Sequence, residues 1–217
     1  MKATVKNKCK RYAVLCVGLL IMAFGVAFSI KAGLGTSPIS SLPYTLSRIT
    51  PLSVGTATIA MHVALILLQI ILLRRRYDPV QLLQLPVALV FGVLTDFSLW
   101  VLQGVSCSFY PGQWLLCAVG IFLVAFGVTL EVTANVIVLA GEGAMLAICK
   151  VFSLKFSNVK VCFDVSLVVI ACVLGLLFLG HITGVREGTV AAAVLVGLTV
   201  KRLSPPIQRW AERHLDG

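Results

Sequence analysis

The sequence predicts an all-α membrane protein with about six transmembrane helices, arranged as two inverted-topology repeats of three helices. Three observations support this fold class. The chain is 59% hydrophobic and only 12% charged, against roughly 25% charge in an ordinary soluble domain. Several apolar stretches reach about 20 residues, enough to cross a hydrocarbon core of about 30 Å as a helix. The chain also repeats part of its own sequence at one fixed offset.

The internal repeat aligns residues 18–69 with residues 120–171 without a gap, an offset of 102 residues. Gly18 falls on Gly120, and the run Ala23-Phe24-Gly25-Val26 falls on Ala125-Phe126-Gly127-Val128. A gap-free register of this length indicates an internal duplication. Each copy contains three spans, an odd number, so the second copy should enter the membrane from the opposite side.

Apolar runs separated by polar segments define the order of the elements. The predicted spans are about Tyr12 to Lys31, Ala57 to Leu73, Val80 to Leu102, Gln113 to Thr133, Val159 to Leu179, and Gly188 to Val200. The domain boundaries follow from them: a basic cytoplasmic N-terminus (1–11), repeat 1 with a hairpin (12–102, hairpin 33–50), a periplasmic or extracellular linker (103–112), repeat 2 with a hairpin (113–202, hairpin 134–153), and an interfacial C-terminal helix (203–217). Asp78-Pro79 is a helix start, because Asp accepts free N–H groups and Pro already has a helical φ.

Positive charges orient this arrangement. With the N-terminus in the cytoplasm, 15 of the 18 Lys and Arg residues fall on the cytoplasmic side, and only Lys31, Arg48 and Arg186 fall outside. We therefore expect a multi-pass protein of the bacterial inner membrane with both termini in the cytoplasm.

A competing arrangement treats residues 34–50 and 134–152 as full spans, which gives eight helices and a parallel repeat. It places Arg74, Arg75 and Arg76 outside, against the positive-inside rule. Residues 34–50 also contain two prolines and Arg48, a poor composition for a helix that faces lipid. The six-span arrangement is favoured.

Two interrupted segments occupy corresponding places in the two copies, Gly33-Leu34-Gly35-Thr36-Ser37-Pro38 and Val138-Leu139-Ala140-Gly141-Glu142-Gly143. Glycine permits a sharp, non-helical backbone, and the half-helix that follows presents free N–H groups to a polar or anionic solute. Paired interruptions in inverted repeats indicate a transporter site near the membrane midplane. Connecting loops with capping glycines are an equal alternative.

Several short motifs extend along the chain: Ala32-Gly33-Leu34-Gly35-Thr36-Ser37-Pro38, Gly141-Glu142-Gly143, Val159-Lys160-Val161 with Asp164, and Gly184-Val185-Arg186-Glu187-Gly188-Thr189 followed by Val196-Gly197. Over about Tyr12 to Arg202 they resemble the YczE/YyaS/YitT group of bacterial inner-membrane proteins, and the G-x-R-E-G-T run is the most specific part. The resemblance implies a small polytopic membrane protein of a group usually regarded as transporters, without an assigned substrate. It barely narrows the chemistry.

Ionisable side chains at membrane depth cost about 2.5–3.5 kcal/mol on insertion scales, so they usually face the bundle interior or a cavity. His62, Asp96, Glu142 and Asp164 meet this criterion. His62 and Asp164 match in the repeat and should approach one cavity. Lys160, one turn before Asp164, is expected to pair with it, either as a structural ion pair or as part of a coupling site.

Three further groups of residues complete the prediction. Arg186 offers a bidentate fork to an anionic group, with Glu187 beside it; alternatively this pair ties the fifth and sixth spans together. Asp96 and Glu131 are expected at the rim of a site or in pairs. Gly18, Gly25, Gly120 and Gly127 predict a close crossing of the first and fourth spans. The predicted solute-binding residues are thus Gly33, Gly35, Thr36, Ser37, Gly141, Glu142, Gly143, Arg186 and Glu187, and the predicted coupling residues are His62, Asp164, Lys160 and Asp96.

The leading functional hypothesis is a secondary transporter of a small polar, anionic or zwitterionic metabolite. The alternative is a membrane-embedded substrate-binding subunit of a partner-energised uptake system. The net charge of +10 is distributed by topology instead of forming one patch, so nucleic acid is not an expected partner. The seven cysteines lack metal-binding spacing and hydrolase motifs are missing, so we expect no cofactor, no metal and no enzyme. The expected partners are the lipid bilayer and a small-molecule solute, and a homo-oligomer is compatible with the sequence.

Overall fold

The structure is a computed structural model that describes residues 2–215, with the side chains of residues 8–214. Residue 1 of the predicted N-terminal segment and residues 216 and 217 of the predicted C-terminal helix lie outside it. All regular secondary structure in the described chain is helical, and the described residues contain no strand. The helices are α1 (Lys2–Ala32), α2 (Pro38–Ile49), α3 (Val54–Leu73), α4 (Gln84–Val101), α5 (Tyr110–Ala134), α6 (Ala140–Phe152), α7 (Phe156–Leu179) and α8 (Glu187–Leu215), with 3₁₀ turns at Arg74–Arg76 and Pro79–Leu83.

Six of these segments are long and apolar enough to cross a membrane, namely those containing α1, α3, α4, α5, α7 and α8. The two others are short: α2 has 12 residues and α6 has 13. At 1.5 Å per residue they reach about 20 Å, less than a hydrocarbon core of about 30 Å. The chain is therefore a multi-pass membrane protein with six apolar helices, and the eight-span arrangement is wrong.

Local capping explains where two of the spans begin. The Ser53 hydroxyl accepts a hydrogen bond from the backbone N–H of Thr56 at 3.0 Å and caps α3. The Asp78 carboxylate accepts the N–H of Val80 at 3.0 Å, and Pro79 follows it at the first position of the 3₁₀ turn that leads into α4. The predicted helix start at Asp78-Pro79 is thus confirmed.

The C-terminal helix differs from the prediction. Instead of restarting at Ser204, α8 continues from Glu187 through Pro205 and Pro206 to Leu215. A proline has a helical φ but lacks the N–H that would bond four residues back, so these two leave the carbonyls of Lys201 and Arg202 without helical partners. Both of those residues are exposed, where water and lipid headgroups supply donors. A separate interfacial helix over 203–217 is therefore wrong.

The tightest helix contact is the crossing of α1 and α5. A Cβ atom placed on Gly18 would lie 3.0 Å from the carbonyl oxygen of Gly127, and one placed on Gly25 would lie 2.9 Å from that of Gly120. Only glycine allows the two backbones to approach this closely. The close crossing of the first and fourth spans at these four glycines is found as predicted.

Helix boundaries and contacts both follow the offset of the repeat. The helices α1 and α5 end at Ala32 and Ala134, α2 and α6 begin at Pro38 and Ala140, and α3 and α7 begin at Val54 and Phe156, so each pair differs by 102. Contacts are also exchanged between the copies. Gly18 meets Gly127 while Gly120 meets Gly25, and α2 packs on α7 while α6 packs on α3. Reciprocal contacts of this kind are typical of two-fold symmetry.

The two ends of the helix bundle are identified by polar contacts. At one end, Lys10 donates to the carbonyl of His214 at 2.8 Å, and Arg11 donates to that of Ala134 at 2.9 Å. At the other end, Lys31 donates to the carbonyl of Gln103 at 3.3 Å. The start of α1 and the end of α8 thus share one end of the bundle, which an even number of spans requires.

Candidate functional site

A cavity of about 420 Å³ lies between the two halves of the molecule, within the size range of small-molecule sites. Most of its wall is apolar, built from side chains that include Met22, Val26, Met61, Phe91, Val124 and Val196. Its polar groups are Ser37, Ser40, Thr58, His62, Glu131, Glu142, Lys160 and Asp164. An apolar cavity with a small set of polar groups is the usual form of a solute site.

The two short helices begin at this cavity. The side chain of Ile39, in the first turn of α2, lies directly against Gly141, in the first turn of α6. These two positions correspond in the repeat. A helix N-terminus carries roughly half a positive charge and free N–H groups. The cavity therefore receives two such ends, one from each half of the molecule.

Glu131 is the most deeply buried acidic group of the cavity, with 1% of its surface exposed. It belongs to the last two turns of α5, and its Oε1 accepts the backbone N–H of Leu139 at 2.6 Å. Leu139 immediately precedes α6. This hydrogen bond fixes the segment between α5 and α6, and it leaves the second carboxylate oxygen without a protein donor among the described residues.

Glu142 lies in the first turn of α6 and interacts electrostatically with both Glu131 and Lys160. Within the described residues no hydrogen bond ends on its carboxylate. Lys160 instead donates to Asp164 Oδ2 at 2.8 Å, one helical turn along α7. The predicted Lys160–Asp164 ion pair is therefore found, and Glu142 is the acidic group with the least local compensation.

His62 lines the same cavity from α3, so this residue and Asp164 share one cavity as predicted. Its ring is 2% exposed and packs edge-on against Phe91, with the ring centroids 6.1 Å apart. In the described part of the chain, the buried Nδ1 has no hydrogen-bond partner. A buried nitrogen without a partner is costly, and a polar group bound in the cavity would relieve that cost.

Two glutamines support the start of α6 from behind the cavity. The Gln69 side-chain amide donates to Gln84 Oε1 at 3.0 Å and to the carbonyl of Ala140 at 3.2 Å. A Cβ atom on Gly143 would collide with both amides. Gly143 was predicted to bind solute, but the structure places it against Gln69 and Gln84, where its small size allows this network to close.

The two most specific sequence motifs bind each other. The N–H of Thr36 donates to the carbonyl of Gly184 at 2.9 Å, and the N–H of Gly188 donates to that of Leu34 at 2.8 Å. Arg186 donates to the carbonyl of Gly33 at 2.9 Å. We call this arrangement of residues 33–36 and 184–189 the clasp. It joins the loop after α1 to the start of α8.

The clasp changes the interpretation of five predicted solute-binding residues, which do not line the cavity: Gly33, Gly35, Thr36, Arg186 and Glu187. Gly33 and Gly35 have φ values of 70° and 94°, which favour glycine. A Cβ atom on Gly35 would collide with Thr189. Arg186 also pairs with Glu187 at 3.1 Å, so its guanidinium is already occupied. The predicted tie is present, but it fastens α8 to the first hairpin.

Asp96 also has a structural position away from the cavity. Its carboxylate accepts the backbone N–H of Gly55 at 2.7 Å and the hydroxyl of Ser53 at 2.5 Å. These contacts fasten α4 to the first turn of α3. The sequence suggested two roles for Asp96, a rim or pairing residue and a coupling residue. Its position in the structure agrees better with the first.

The site therefore gains one residue and keeps six of those predicted. Ser37, Gly141, Glu142, His62, Lys160 and Asp164 line the cavity, and Glu131 joins them. Glu131 was expected at a rim or in a pair, but the cost of burying a carboxylate inside an apolar run applies to it as much as to Asp164, and this signal could have identified it. No group of three or more His, Cys, Asp or Glu residues suited to a metal ion occurs in the described chain.

The profile of one protein family, "Family of unknown function (DUF6198)", matches residues 9–205. The chain belongs to this family. The matched range covers the clasp, every residue of the cavity, four of the six apolar helices in full and most of α1 and α8. The match to DUF6198 therefore extends over nearly the whole fold.

Three curated proteins are similar to this DUF6198 member. The uncharacterized protein YyaS of Bacillus subtilis (strain 168) is 31% identical over 54% of this chain, and the match spans little more than half of YyaS, 57%. The uncharacterized membrane protein YczE of the same organism is 29% identical over 88% of the chain and 84% of its own length. An uncharacterized protein of Haemophilus influenzae is 27% identical over 88% and 82%. The resemblance to YczE and YyaS is thereby confirmed, and no solved structure matches the chain.

Proposed function

We propose that this protein is a secondary transporter that exchanges a small solute carrying a cationic group for protons by alternating access. The observation that supports this most is the contact of Ile39 with Gly141, where two non-spanning helices, one from each half, begin at a shared cavity. Interrupted segments that meet at the interface of inverted repeats form the solute sites of many secondary transporters.

The inverted repeat is part of this proposal. Gly18 contacts Gly127 as Gly120 contacts Gly25, and the two helices run in opposite directions at this crossing. A two-fold axis that exchanges antiparallel spanning helices lies in the membrane plane, which is the relation between inverted repeats. The cavity lies between the related halves, so rocking one half against the other would open it to either side in turn.

The charge of the cavity favours a cationic or zwitterionic solute over the anionic one expected from the sequence. Three carboxylates, Glu131, Glu142 and Asp164, face one cation, Lys160. The two helix N-termini add about half a positive charge each, which still leaves an excess of negative charge when all carboxylates are ionised. The arginine that suggested an anion, Arg186, is engaged in the clasp.

Proton exchange follows from the same pair of acids. Glu131 and Glu142 line one mostly apolar cavity, where the repulsion between two ionised carboxylates is poorly screened. A bound proton and a bound cationic group are alternative ways of reducing their repulsion. Because the two compete for one site, solute entry releases a proton and proton entry releases the solute.

The membrane location completes the proposal: the bacterial inner membrane, with both termini cytoplasmic. The end of the bundle that carries Lys10, Arg11, Ala134 and His214 would face the cytoplasm, and the end with Lys31 and Gln103 would face the periplasm. A reporter active only in the cytoplasm, fused after residue 217, should be active, whereas fusion of a periplasm-specific reporter there should be silent.

The test uses the full chain in lipid vesicles with an acidic lumen. A panel of labelled organic cations, zwitterions and anions is offered outside, and the account predicts uptake of one or more cations or zwitterions with proton release from the lumen. Glu142→Gln should abolish gradient-driven uptake, while Glu212→Gln, a matched change on the exposed C-terminal part of α8, should not. Uptake that persists in Glu142→Gln and Glu131→Gln contradicts the coupling. Binding without flux would support the partner-energised alternative instead.

A further inference from the structure

The two halves differ most in how their last two spans meet. In the first half, α3 and α4 are closed together: the backbone of Gly55 lies against the carbonyl of Gly92. The Asp96 carboxylate reinforces this seam by accepting the N–H of Gly55 and the Ser53 hydroxyl. The first half thus seals its outer wall with two glycines and one carboxylate.

The corresponding seam of the second half lacks all three of these groups. At an offset of 102 Gly55 corresponds to Ser157, and extending the same offset beyond the aligned range pairs Gly92 and Asp96 with Val194 and Leu198; all three of these residues are exposed. Over their described lengths α7 and α8 make little or no contact with each other; α7 packs on α2 and α6, and α8 packs mainly on α5. The seam between α7 and α8 is therefore open.

The cavity lies directly behind this open seam. Lys160 and Asp164 reach it from α7, and Ala193 and Gly197 reach it from α8. Ala193 and Gly197 are exposed although they line the cavity, and a Cβ atom on Gly197 would have no neighbour within 4 Å. The cavity consequently communicates with the surface of the protein that faces lipid.

The rim of this opening is apolar, and the interior is acidic. Val161 on α7 and Val194 on α8, next in sequence to the cavity-lining Lys160 and Ala193, are 62% and 57% exposed. Inside, Glu142 and Glu131 lack cationic partners that pair with them directly among the described residues. A molecule that satisfies both regions needs a cationic head for the carboxylates and a hydrocarbon part for the rim and the apolar wall.

We propose that the α7–α8 seam is a lateral entrance through which an amphipathic cation passes between the lipid leaflet and the cavity. Its head group binds at Glu142 and Glu131, and its hydrocarbon chain lies between α7 and α8 toward the bilayer. This rests on the proposed function and names the substrate class of the same site. Charge complementarity and the continuity of the seam with the cavity favour this occupant over a second copy of the chain.

The experiment measures binding and needs no transport. The full chain is placed in bilayer discs of phosphatidylcholine and exposed to a long-chain primary amine that carries a photoreactive diazirine, and the adducts are mapped by mass spectrometry. We expect adducts on α7 and α8 at the seam and on cavity residues such as Val196. An excess of unlabelled long-chain amine should remove them, whereas a short-chain amine and a long-chain carboxylate should not.

A pair of matched substitutions tests the route. Gly197→Phe places a ring in the opening, at a position where a Cβ atom meets no neighbour within 4 Å, and should reduce cavity adducts about tenfold, the change expected for a loss of about 1.4 kcal/mol. Val93→Phe, at an exposed position of α4 away from the seam, should leave them unchanged. Thermal unfolding of both variants verifies that each is folded.

Three results would overturn the lateral entrance. The first is equal labelling of wild type and Gly197→Phe, and the second is full competition by the short-chain amine. The third is a seam covered by a second copy, seen as cross-links between Val161→Cys chains with no adducts at the seam. A failure of the proposed transport would look different, because labelling would persist as described while vesicles showed no proton-driven uptake.

Discussion

Ile39 of the first half packs its side chain against Gly141 of the second half, and the two positions correspond in the internal repeat. The contact brings the first turns of two non-spanning helices together at one cavity. A Cβ atom on Gly141 would collide with the terminal methyl of Ile39. Gly141→Ala should therefore displace the Ile39 side chain from this contact and reduce flux several-fold.

The control for this change is a compensating one. Ile39→Val shortens the side chain that the new Cβ would meet, so the double variant Ile39→Val with Gly141→Ala should recover most of the flux. Loss of flux in the double variant equal to that of Gly141→Ala alone would show that the contact itself is not what matters. Both variants are measured in vesicles at equal protein content.

Substitution by alanine should affect stability differently at a glycine in the α1–α5 crossing and at a helical glycine in open space. Gly25→Ala should destabilise the protein by about 1–3 kcal/mol through overpacking, because a Cβ atom there would lie 2.6 Å from the backbone nitrogen of Val124. Gly197→Ala, with open space around it, should be neutral or stabilising by up to about 1 kcal/mol from helix propensity. Thermal unfolding in detergent measures both, and equal effects would argue against the crossing.

Two substitutions of Glu131 distinguish the effect of its hydrogen bond from the effect of its negative charge. Glu131→Gln keeps an acceptor for the N–H of Leu139 and should preserve stability, whereas Glu131→Ala leaves that buried N–H without its partner and should cost about 1–3 kcal/mol. Both variants should lose proton-coupled exchange. Exchange that survives in Glu131→Gln would restrict the role of this residue to fixing the segment before α6.

Asp96 should affect stability alone. Asp96→Ala removes the acceptor for the Gly55 N–H and the Ser53 hydroxyl and should lower the free energy of unfolding by about 1–3 kcal/mol. Because Asp96 does not line the cavity, flux per folded molecule should stay unchanged. A folded Asp96→Asn protein without flux would restore the coupling role that the sequence suggested.

A substitution of Arg186 distinguishes a role in the stability of the clasp from a role in solute binding. Arg186→Lys loses the planar fork that contacts both Gly33 and Glu187 and should lower the unfolding temperature without changing the affinity for a solute. Solute affinity is measured by titration of the purified variant in detergent. A selective loss of affinity with normal stability would place Arg186 in the binding site after all.

The sequence predicted the scaffold because the scaffold depends on local patterns. Apolar runs specified the six spans, and glycines seven residues apart specified the α1–α5 crossing. His62 and Asp164 were placed at one cavity because their register in the repeat relates them directly. Each of these inferences needed only the chain's own periodicity and the cost of burying polar groups.

The sequence could not distinguish a glycine that approaches a ligand from one that approaches another loop. Gly35 needs a positive φ and close contact in either case, and only the fold shows that Thr189 and Arg186 are its neighbours. The position of Glu131 in the cavity likewise depends on the fold, because its carboxylate accepts the N–H of Leu139 immediately before α6. The sequence also could not show that α8 continues through Pro205 and Pro206. The helix can continue because Lys201 and Arg202, whose carbonyls lose their helical partners, are exposed.

The measurement that tests alternating access most directly is the sidedness of labelling inside the cavity. In a background with the seven native cysteines replaced, Thr58→Cys places one thiol on the cavity wall, and Val93→Cys, 64% exposed toward lipid, serves as the control. The account predicts that a membrane-impermeant thiol reagent labels Thr58→Cys from either side of the membrane, in proportions that a pH gradient shifts, and does not label the control. Labelling of Thr58→Cys from one side only, under every gradient, would contradict it.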